Sequence, residues 1–339
     1  MKLKLILSYT LIAIIFSSCN KEENVESNCP ENSDILDEFE SDQYYILTTD
    51  GKVFTKTDGI CEFQLQYYSP DFENNYFQSN DTIYAKNEGY NIPILHEIKD
   101  DFNNYNTFTD LFITSSNTTN KLWTDFVLLS PENSTVEAYV ALRKCIIAGT
   151  CNFDDNRIEI VADTISNLDS KLRFTAVEPV NGMVTSKSSI ENTLLHADID
   201  DKVTIEGDFY IEAGFPFSII DLENKWFEGS PGIRLVFDDN KNLSVELKYG
   251  LKPWYRQEVG KEVRFPENEW VHVKASFVLR NDETGEIKVW QNNELIIDKK
   301  GKTLPTSNSI QTSIETGITA TDIYSIMHLD NFRIKVDKF

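Results

Sequence analysis

The sequence predicts an all-β protein, built as a two-sheet sandwich or jelly roll. Segments that alternate apolar and polar residues recur along the chain, with turn-rich gaps between them. The composition is that of a globular protein, because 40% of the residues are hydrophobic and 12% are aromatic. A period of two is typical of strands with one buried face, and many such strands in succession favour a sandwich.

The N-terminus has the composition of an export signal. Two lysines precede an apolar run from Leu5 to Phe16, and two serines follow before Cys19. A basic start, a short apolar stretch and small residues are typical of a secretory signal. The run is shorter than the roughly 20 residues that span a bilayer. We therefore expect residues 1–19 to be a signal peptide.

The end of this signal suggests lipidation. Phe16-Ser17-Ser18-Cys19 resembles a bacterial lipobox, and Asn20-Lys21-Glu22-Glu23 is similar to the acidic signal that sends Bacteroidetes lipoproteins to the outer cell face. The resemblance implies a lipid on Cys19, which would be the only membrane attachment, and an outer-membrane location exposed at the cell surface. An ordinary cleaved signal peptide is the alternative. The polar, acidic residues 20–35 are expected to form a tether.

Cysteine usage fits an exported protein. Five cysteines are present, and four remain if Cys19 carries lipid. An even count outside the cell suggests disulfides. Cys145 and Cys151 are close enough in sequence to close a small loop, which leaves Cys29 and Cys61 as a second pair. Free thiols are the alternative.

The charge restricts the partners. The formal net charge is −23, and such a surface repels nucleic acid. We expect no nucleic-acid partner. An acidic polysaccharide would also be repelled unless a local basic patch overrides the net charge.

The chain divides into a small N-terminal part and a large C-terminal part. Residues 36–95 are predicted to be a small β module, or a β extension of the main domain, and they begin with a hairpin at the tight turn Asp50-Gly51. Residues 96–339 are predicted to be the main domain, with one short helix over Val136–Ile147. Its alternating segments begin at Asn156, Lys171, Lys202, Gly232, Asn242, Trp270, Glu286 and Ile326.

The C-terminal half carries motifs in a specific order. Trp270-Val-His-Val, then Gly285-Glu-Ile-Lys-Val-Trp, then His328-Leu-Asp-Asn-Phe-Arg-Ile resemble strands of the concanavalin A-like jelly roll. The similar branch holds the alginate-lyase and heparin-lyase-like polysaccharide lyases. The resemblance covers residues 180–339. It implies a concanavalin A-like jelly-roll sandwich with a small N-terminal β extension, and a polysaccharide as the partner.

The resemblance also identifies the positions on which activity depends. Members of that branch share an Arg-x-Glu-Leu strand, a Gln-x-His strand and a tyrosine. The matching positions here hold Lys187 to Glu191, Asp221 with Glu223, and Thr319. A β-elimination needs a base and an acid, usually His and Tyr, and neither occupies its position. Whether the chain is an enzyme is therefore open.

Asp221 and Glu223 are the candidate catalytic residues if it is one. They lie two apart on a predicted strand, so their side chains share a face about 6.5–7 Å apart. Two carboxylates at such a distance can act as acid and nucleophile or base in glycoside hydrolysis. The alternative is that they pair with Lys187, Arg234 or Lys248, or bind a cation.

A sugar site is predicted around the same strands. Trp254 and Tyr255 offer rings for stacking, while neighbouring basic groups can bind hydroxyls or carboxylates. An aromatic plug over a sheet end is the alternative for these two residues. The candidate substrate-binding residues are Lys187, Glu191, Arg234, Lys248, Trp254, Tyr255 and Arg256.

The resemblance implies one structural metal. Jelly rolls of this type hold Ca²⁺ with an aspartate of the last strand and carboxylates near the domain start. Asp330 matches the first, and Asp100 and Asp101 can supply the second. Oxygen ligands suit calcium. A solvated acidic turn is the alternative.

These observations favour a surface lipoprotein that binds polysaccharide on the concave sheet of a jelly roll. A glycoside hydrolase or divergent polysaccharide lyase acting through Asp221 and Glu223 is the second hypothesis. An adhesion or structural lipoprotein without a sugar site is the third.

Overall fold

A computed structural model describes the chain from residue 95 to residue 338, without residues 113–121, 131–135, 154, 163–168, 181–184, 225–230 and 307–309. Before residue 95 it describes the strands between residues 35 and 93 as backbone, together with Cys29 and Cys61. The predicted signal, Cys19 and most of the tether lie outside the described residues. In the part that is described, no helix is long and apolar enough to cross a bilayer.

The N-terminal strands form two antiparallel sheets of their own. The strands on either side of the turn predicted at Asp50-Gly51 pair with each other, Tyr44–Thr48 with Lys52–Thr57, and the turn itself lies outside the described residues. The four-stranded sheet comprises β1 (Ile35–Glu40), β2 (Tyr44–Thr48), β3 (Lys52–Thr57) and β4 (Ile60–Gln66). The three-stranded sheet comprises β5 (Tyr76–Ser79), β6 (Thr82–Asn87) and β7 (Tyr90–Pro93). The division of the chain into an N-terminal module and a main domain stays a prediction.

Two larger antiparallel sheets form a sandwich, so the predicted all-β jelly-roll class is confirmed. The eight-stranded sheet contains β8 (Glu97–Asp100), β10 (Arg157–Ala162), β11 (Ser170–Ala176), β13 (Lys202–Ala213), β18 (Trp270–Val278), β19 (Glu286–Gln291), β20 (Glu294–Lys300) and β22 (Ser325–Asp337). Its order is β10-β11-β22-β13-β18-β19-β20, and β8 also pairs with β22.

The seven-stranded sheet has the order β17-β16-β15-β14-β21-β12-β9. Its members are β9 (Asp125–Leu129), β12 (Ser186–Asn192), β14 (Ser218–Glu223), β15 (Gly232–Phe237), β16 (Leu243–Leu247), β17 (Trp254–Tyr255) and β21 (Ser313–Thr321). One helix, α1 (Val136–Ile147), has the predicted bounds, and a 3₁₀ turn occupies Phe108–Leu111.

The core lies between these two sheets. Strand β13 alternates as predicted, with Val203, Ile205 and Phe209 buried. The central strands of the seven-stranded sheet differ, because every residue of β14 and β21 is buried. Their polar residues are therefore shielded from solvent even though they lie on the face opposite the core. A charge that is buried in this way needs a partner.

Both predicted disulfides are present. Cys29 is bonded to Cys61 next to the four-stranded sheet. Cys145, in the last turn of α1, is bonded to Cys151, which follows the helix. The alternative of free thiols is therefore wrong for these four residues.

Candidate functional site

A row of polar residues crosses the whole seven-stranded sheet. Its members are direct cross-strand neighbours, so their side chains share one face. We call them the polar row and the face that carries them the polar face. In order from β9 to β17 the row is Asp125, Glu191, Glu315, Asp221, Arg234, Glu246 and Trp254.

The local sequence explains why these residues face away from the core. On β14 the neighbour of Asp221 is Leu222, and on β21 the neighbour of Glu315 is Ile314. Both apolar side chains belong to the core between the sheets. Since strand side chains alternate, the acidic residues must take the other face.

Asp221 is the centre of the site. Its Oδ2 atom lies 3.2 Å from the Nζ atom of Lys248 and 3.3 Å from the Nη2 atom of Arg234. The hydroxyl of Thr319 donates to its Oδ1 atom at 3.3 Å. Glu223, two residues further along β14, also accepts a hydrogen bond from Lys248. One ammonium group therefore bridges two carboxylates.

Glu315 is held from the neighbouring strand β12. The Nζ atom of Lys187 lies 3.3 Å from each of its two carboxylate oxygens. The hydroxyl of Ser189 donates to its Oε1 atom at 2.5 Å. Lys187, Ser189 and Glu191 alternate along β12 and so reach the same face.

At the β17 end the row becomes aromatic. Arg234 contacts Glu246 as well as Asp221, with 3.5 Å between its Nη1 atom and Oε2 of Glu246. The indole N–H of Trp254 donates to Oε1 of Glu246 at 3.1 Å. The guanidinium of Arg256 lies 4.8 Å from the centre of the Trp254 ring, within cation–π distance.

Burial separates the acids from the bases. The side chains of Asp221 and Glu315 are 0% exposed and that of Glu223 is 2% exposed. Lys187 keeps 22% of its side-chain surface, Arg234 keeps 18% and Lys248 keeps 11%. The carboxylates thus form a floor, and the cationic groups are the part of the site that solvent reaches.

Neighbouring charges determine the protonation states of the buried carboxylate of Asp221 and of Lys248. Burial alone would raise the pKa of Asp221, but the charges of Lys248, Arg234 and Lys187 lower it to about 2. Burial opposes the charge of Lys248, yet the carboxylates of Asp221 and Glu223 raise its pKa above the ordinary value. Asp221 is therefore an anion near neutral pH and has no proton to donate as a general acid.

Histidine, the usual base of the lyase mechanism, is not found on this face in the described part of the chain. The four histidines all lie in the described part of the chain, and none is on the polar face. His272 and His328 are on the eight-stranded sheet, and His196 contacts Lys338. Thr319 stands where the resemblance implies a tyrosine, and its hydroxyl is bonded to Asp221 and lies 2.6 Å from that of Ser218.

One group of carboxylates could hold a metal ion. Oxygen atoms of Asp221, Glu223 and Glu315 all lie within 4.8 Å of one another, and they are the only such group of three among the described residues. An all-oxygen set suits a hard cation such as calcium. However, Lys248 and Lys187 already supply positive charge to these oxygens, so a metal ion would have to displace them.

The calcium site at Asp330, Asp100 and Asp101 stays a prediction. Asp100 is buried and accepts hydrogen bonds from the indole of Trp123 at 2.8 Å and the hydroxyl of Tyr105 at 2.7 Å. These bonds occupy its carboxylate, and the three aspartates do not come together as a ligand group in the part of the chain that is described.

The structure brings most of the predicted sugar-site residues together. Lys187, Glu191, Asp221, Glu223, Arg234, Lys248 and Trp254 lie on the polar face, and Arg256 contacts the Trp254 ring. Tyr255 does not join them. It follows Trp254 on a strand, so its side chain takes the other face and packs against the core and Gly301.

Sequence reasoning missed three acidic members of the row. Glu315, Glu246 and Asp125 lie on separate strands, and only their register places them beside Asp221. A carboxylate within the otherwise uncharged strand β21 was the one signal in the sequence that could have identified Glu315.

Comparisons with known proteins give similarity of fold at low identity. No family model matches the chain, and no curated protein matches it. Polysaccharide lyases are among the solved structures that it resembles, as the sequence motifs implied. The endo-β-1,4-glucuronan lyase of Trichoderma reesei is 11% identical with a TM-score of 0.41, and the match covers 55% of this chain and 89% of that one.

Two further structures are similar to the same extent. The cellulose induced protein Cip1 is 12% identical with a TM-score of 0.40, over 56% of this chain and 88% of its own. The alginate lyase AlgAT5 of polysaccharide lyase family 7 is 12% identical with a TM-score of 0.39, over 63% of this chain and 95% of its own. Similarity at this level carries no argument about activity.

Proposed function

We propose that the chain binds a polysaccharide across the polar face of the seven-stranded sheet. The observation that carries this proposal is the layering of charge, with buried carboxylates below and partly accessible cationic groups above. Lys187, Arg234 and Lys248 are held in place by Glu315, Asp221 and Glu223. Their donors are therefore fixed before a ligand arrives, which lowers the entropy lost on binding.

The accessible chemistry favours a sugar that carries carboxylates. Ammonium and guanidinium groups are donors only, and an arginine matches a carboxylate with two parallel hydrogen bonds. The carboxylates beneath Lys187, Arg234 and Lys248 are buried, so an approaching ligand meets the cationic groups first. Trp254 and Arg256 at the β17 end supply a ring against which the apolar face of a sugar can stack.

Binding without cleavage is the form of the proposal that the geometry supports best. The anionic Asp221 cannot be the proton donor of a hydrolase near neutral pH, and Glu223, the other candidate acid, accepts a hydrogen bond from the ammonium of Lys248. No histidine reaches the polar face in the described part of the chain. If the experiment below detects released product, binding without cleavage is contradicted and the enzyme hypothesis is favoured.

The test is a binding panel with a soluble polypeptide that lacks residues 1–19. Polygalacturonate and alginate represent acidic polymers, and laminarin and galactan represent neutral ones. We expect retention of the acidic polymers, and no increase in reducing ends or in absorbance near 235 nm, the absorbance of an unsaturated sugar product. Retention of neutral polymers alone, or of none, would contradict the proposal.

Variants locate the binding surface. Arg234→Lys keeps the charge but removes the planar fork, so the affinity for acidic polymers should fall roughly tenfold, about 1.4 kcal/mol. Lys288→Met is the matched control, since Lys288 lies on β19 of the other sheet and pairs with Glu286. Equal effects of the two variants would place the ligand elsewhere.

We also propose that the protein is a lipoprotein displayed at the outer membrane through Cys19. The signal-like residues 1–19 and the acidic stretch behind them support this. Labelling of cells with a palmitate analogue should mark the wild type and not Cys19→Ala. Protease treatment of whole cells should then digest the labelled protein. An unlabelled wild type would exclude the anchor.

A further inference from the structure

The polar face ends at strand β9, and helix α1 lies beside that strand. β9 is the edge strand of the seven-stranded sheet and pairs with β12. Leu142 and Ile146 are one helical turn apart on α1, and both pack on the core. The first two members of the polar row, Asp125 on β9 and Glu191 on β12, are opposite each other at this end. The helix therefore borders the polar row at the end opposite Trp254.

Arg143 brings a guanidinium group from α1 to this end of the row. It donates a hydrogen bond from Nη2 to Oδ1 of Asp125. The central carbon of the guanidinium lies 5.3 Å from the centre of the Phe126 ring, within cation–π distance. Burial lowers the pKa of Arg143, and the negative charge of Glu191 acts against this effect. An arginine in a protein stays charged, so Arg143 is a cation beside the acids of two strands.

The surroundings of Arg143 repeat those of Arg234 near the other end of the row. The guanidinium of Arg234 lies 5.7 Å from the centre of the Phe217 ring and is paired with Asp221. Each arginine thus contacts one phenyl ring and one aspartate. The exposure is also similar, because Arg143 keeps 22% of its side-chain surface and Arg234 keeps 18%. Arg143 is therefore as accessible as a residue already proposed to bind the ligand.

The two arginines differ in the burial of their partners. Asp221 is 0% exposed, whereas Asp125 is 36% exposed. An ion pair that solvent reaches contributes little to stability, so the bond between Arg143 and Asp125 can be exchanged at small cost. A carboxylate on a ligand can bind a guanidinium with two parallel hydrogen bonds. Such a ligand group can therefore take the place of Asp125.

The end of α1 is fixed just after Arg143. Gly149 has a φ of +66°, the left-handed conformation in which many helices end. The chain then turns back, and the backbone N–H of Thr150 donates to the carbonyl of Cys145 at 2.9 Å. This turn brings Cys151 to Cys145, to which it is bonded. The disulfide therefore restrains the helical turn that carries Arg143, and a restrained donor loses less entropy on binding.

We propose that Arg143 is a further ligand-binding residue of the polar face, and that the disulfide between Cys145 and Cys151 positions it. A carboxylate of the polysaccharide binds Arg143 in place of Asp125. The binding surface then has a guanidinium at both ends, Arg143 beside β9 and Arg256 beside β17. This inference rests on the proposed function, because it extends the same surface.

The test measures affinity for alginate and polygalacturonate by affinity electrophoresis of the soluble polypeptide that lacks residues 1–19. Arg143→Met should lower the affinity roughly tenfold, the effect of losing one charge-assisted contact. Arg143→Lys should lower it less, because the charge remains. Lys144→Met is the matched control, since it removes the same charge from the next, exposed position of α1. It should bind like the wild type.

Asp125→Asn separates a ligand contact from a purely structural ion pair. If Arg143 serves only to pair with Asp125, either substitution breaks the same pair, and both should lower the affinity alike. If Arg143 binds the ligand, Asp125→Asn removes a carboxylate that competes with the ligand and repels it. This variant should then bind at least as tightly as the wild type. Urea denaturation of each variant checks that the fold is retained.

The double substitution of Cys145→Ala and Cys151→Ala tests the positioning role of the disulfide. It should lower the affinity by a smaller factor than Arg143→Met, because the guanidinium is still present but less restrained. Added to Arg143→Met, it should cause no further loss, since both changes act through one side chain. Losses that multiply would contradict the positioning role.

Two results would overturn the proposal. Arg143→Met could bind both polymers as tightly as the wild type, or Asp125→Asn could lose as much affinity as Arg143→Met. In either case the proposed function stands if the wild type retains the acidic polymers and Arg234→Lys weakens this retention. If the wild type retains neither polymer, the proposed function fails and this inference fails with it.

Discussion

The ammonium group of Lys248 lies 3.2 Å from the Oδ2 atom of Asp221, and the two side chains are 11% and 0% exposed. Lys248 follows β16 and Asp221 is on β14, so this pair spans the intervening strand β15. The ion pair keeps Asp221 in its anionic form, and it holds the side chain of Lys248 in place over the sheet. The same pair decides both the stability of the site and the chemistry that it presents.

Lys248→Met should destabilise the protein strongly. Asp221 and Glu223 would lose a shared cation in a buried place, and breaking a buried ion pair costs about 3–5 kcal/mol. Urea denaturation measures the change. Lys261→Met is the control, because Lys261 and Glu258 are 71% and 66% exposed, and it should produce no measurable change. Equal midpoints for the two variants would show that Lys248 is not a structural partner.

Adding Asp221→Asn and Glu223→Gln to Lys248→Met should recover part of the lost stability. The triple variant has no unpaired buried charge at these three positions. If it unfolds at the same urea concentration as Lys248→Met, the loss came from packing and not from charge.

Acid should remove the stabilisation that results from the low pKa of Asp221. Its pKa is about 2 in the folded protein against an ordinary value of 3.8. The unfolded chain therefore binds more protons between these values, so the stabilisation is complete above about pH 4 and is lost as the pH falls towards 2. Urea midpoints from pH 7 to pH 2 should show the wild type approaching Asp221→Asn below pH 4. A constant difference would contradict the lowered pKa.

Substitution of Trp254 should weaken polysaccharide binding, whereas substitution of Tyr255 should not. Trp254 is on the polar face and Tyr255 packs against the core. Trp254→Ala should weaken polysaccharide binding roughly tenfold, since aromatic contacts contribute about 0.5–1.5 kcal/mol beyond the area that they bury. Tyr255→Phe should leave affinity unchanged. Affinity electrophoresis measures both, and a larger loss for Tyr255→Phe would reverse the assignment of faces.

Asp100 should matter for stability. Its carboxylate accepts hydrogen bonds from Trp123, Tyr105 and the backbone N–H of Phe102. Asp100→Ala leaves these donors without a partner, and we expect a loss of about 3 kcal/mol or more. The neighbouring Asp101 is exposed, so Asp101→Ala should be nearly neutral. Similar thermal melting of both variants would contradict this role.

The sequence was sufficient for features that depend on local order. The period of two placed Asp221 and Glu223 on one face, and the spacing of Cys145 and Cys151 identified their disulfide. The register between strands that are distant in sequence could not be predicted. Nothing in the sequence shows that Glu315 pairs with Asp221 across 94 positions, 315 minus 221.

The surroundings of Asp100 could not be predicted for a related reason. Asp100 looks like a free carboxylate in an acidic stretch, but the fold brings the indole of Trp123 to it. Tyr255 was predicted to offer a ring for stacking together with Trp254, but adjacent residues of a strand face opposite sides.

The polar row also sets a length scale. Its seven residues stand on seven adjacent strands, and six spacings of about 4.8 Å give a track of about 29 Å. A polymer that lies along this track crosses the strands at right angles and meets a new side chain at each step. Affinity should therefore grow with the number of sugar units until the oligosaccharide is as long as the sheet is wide, and then stay constant.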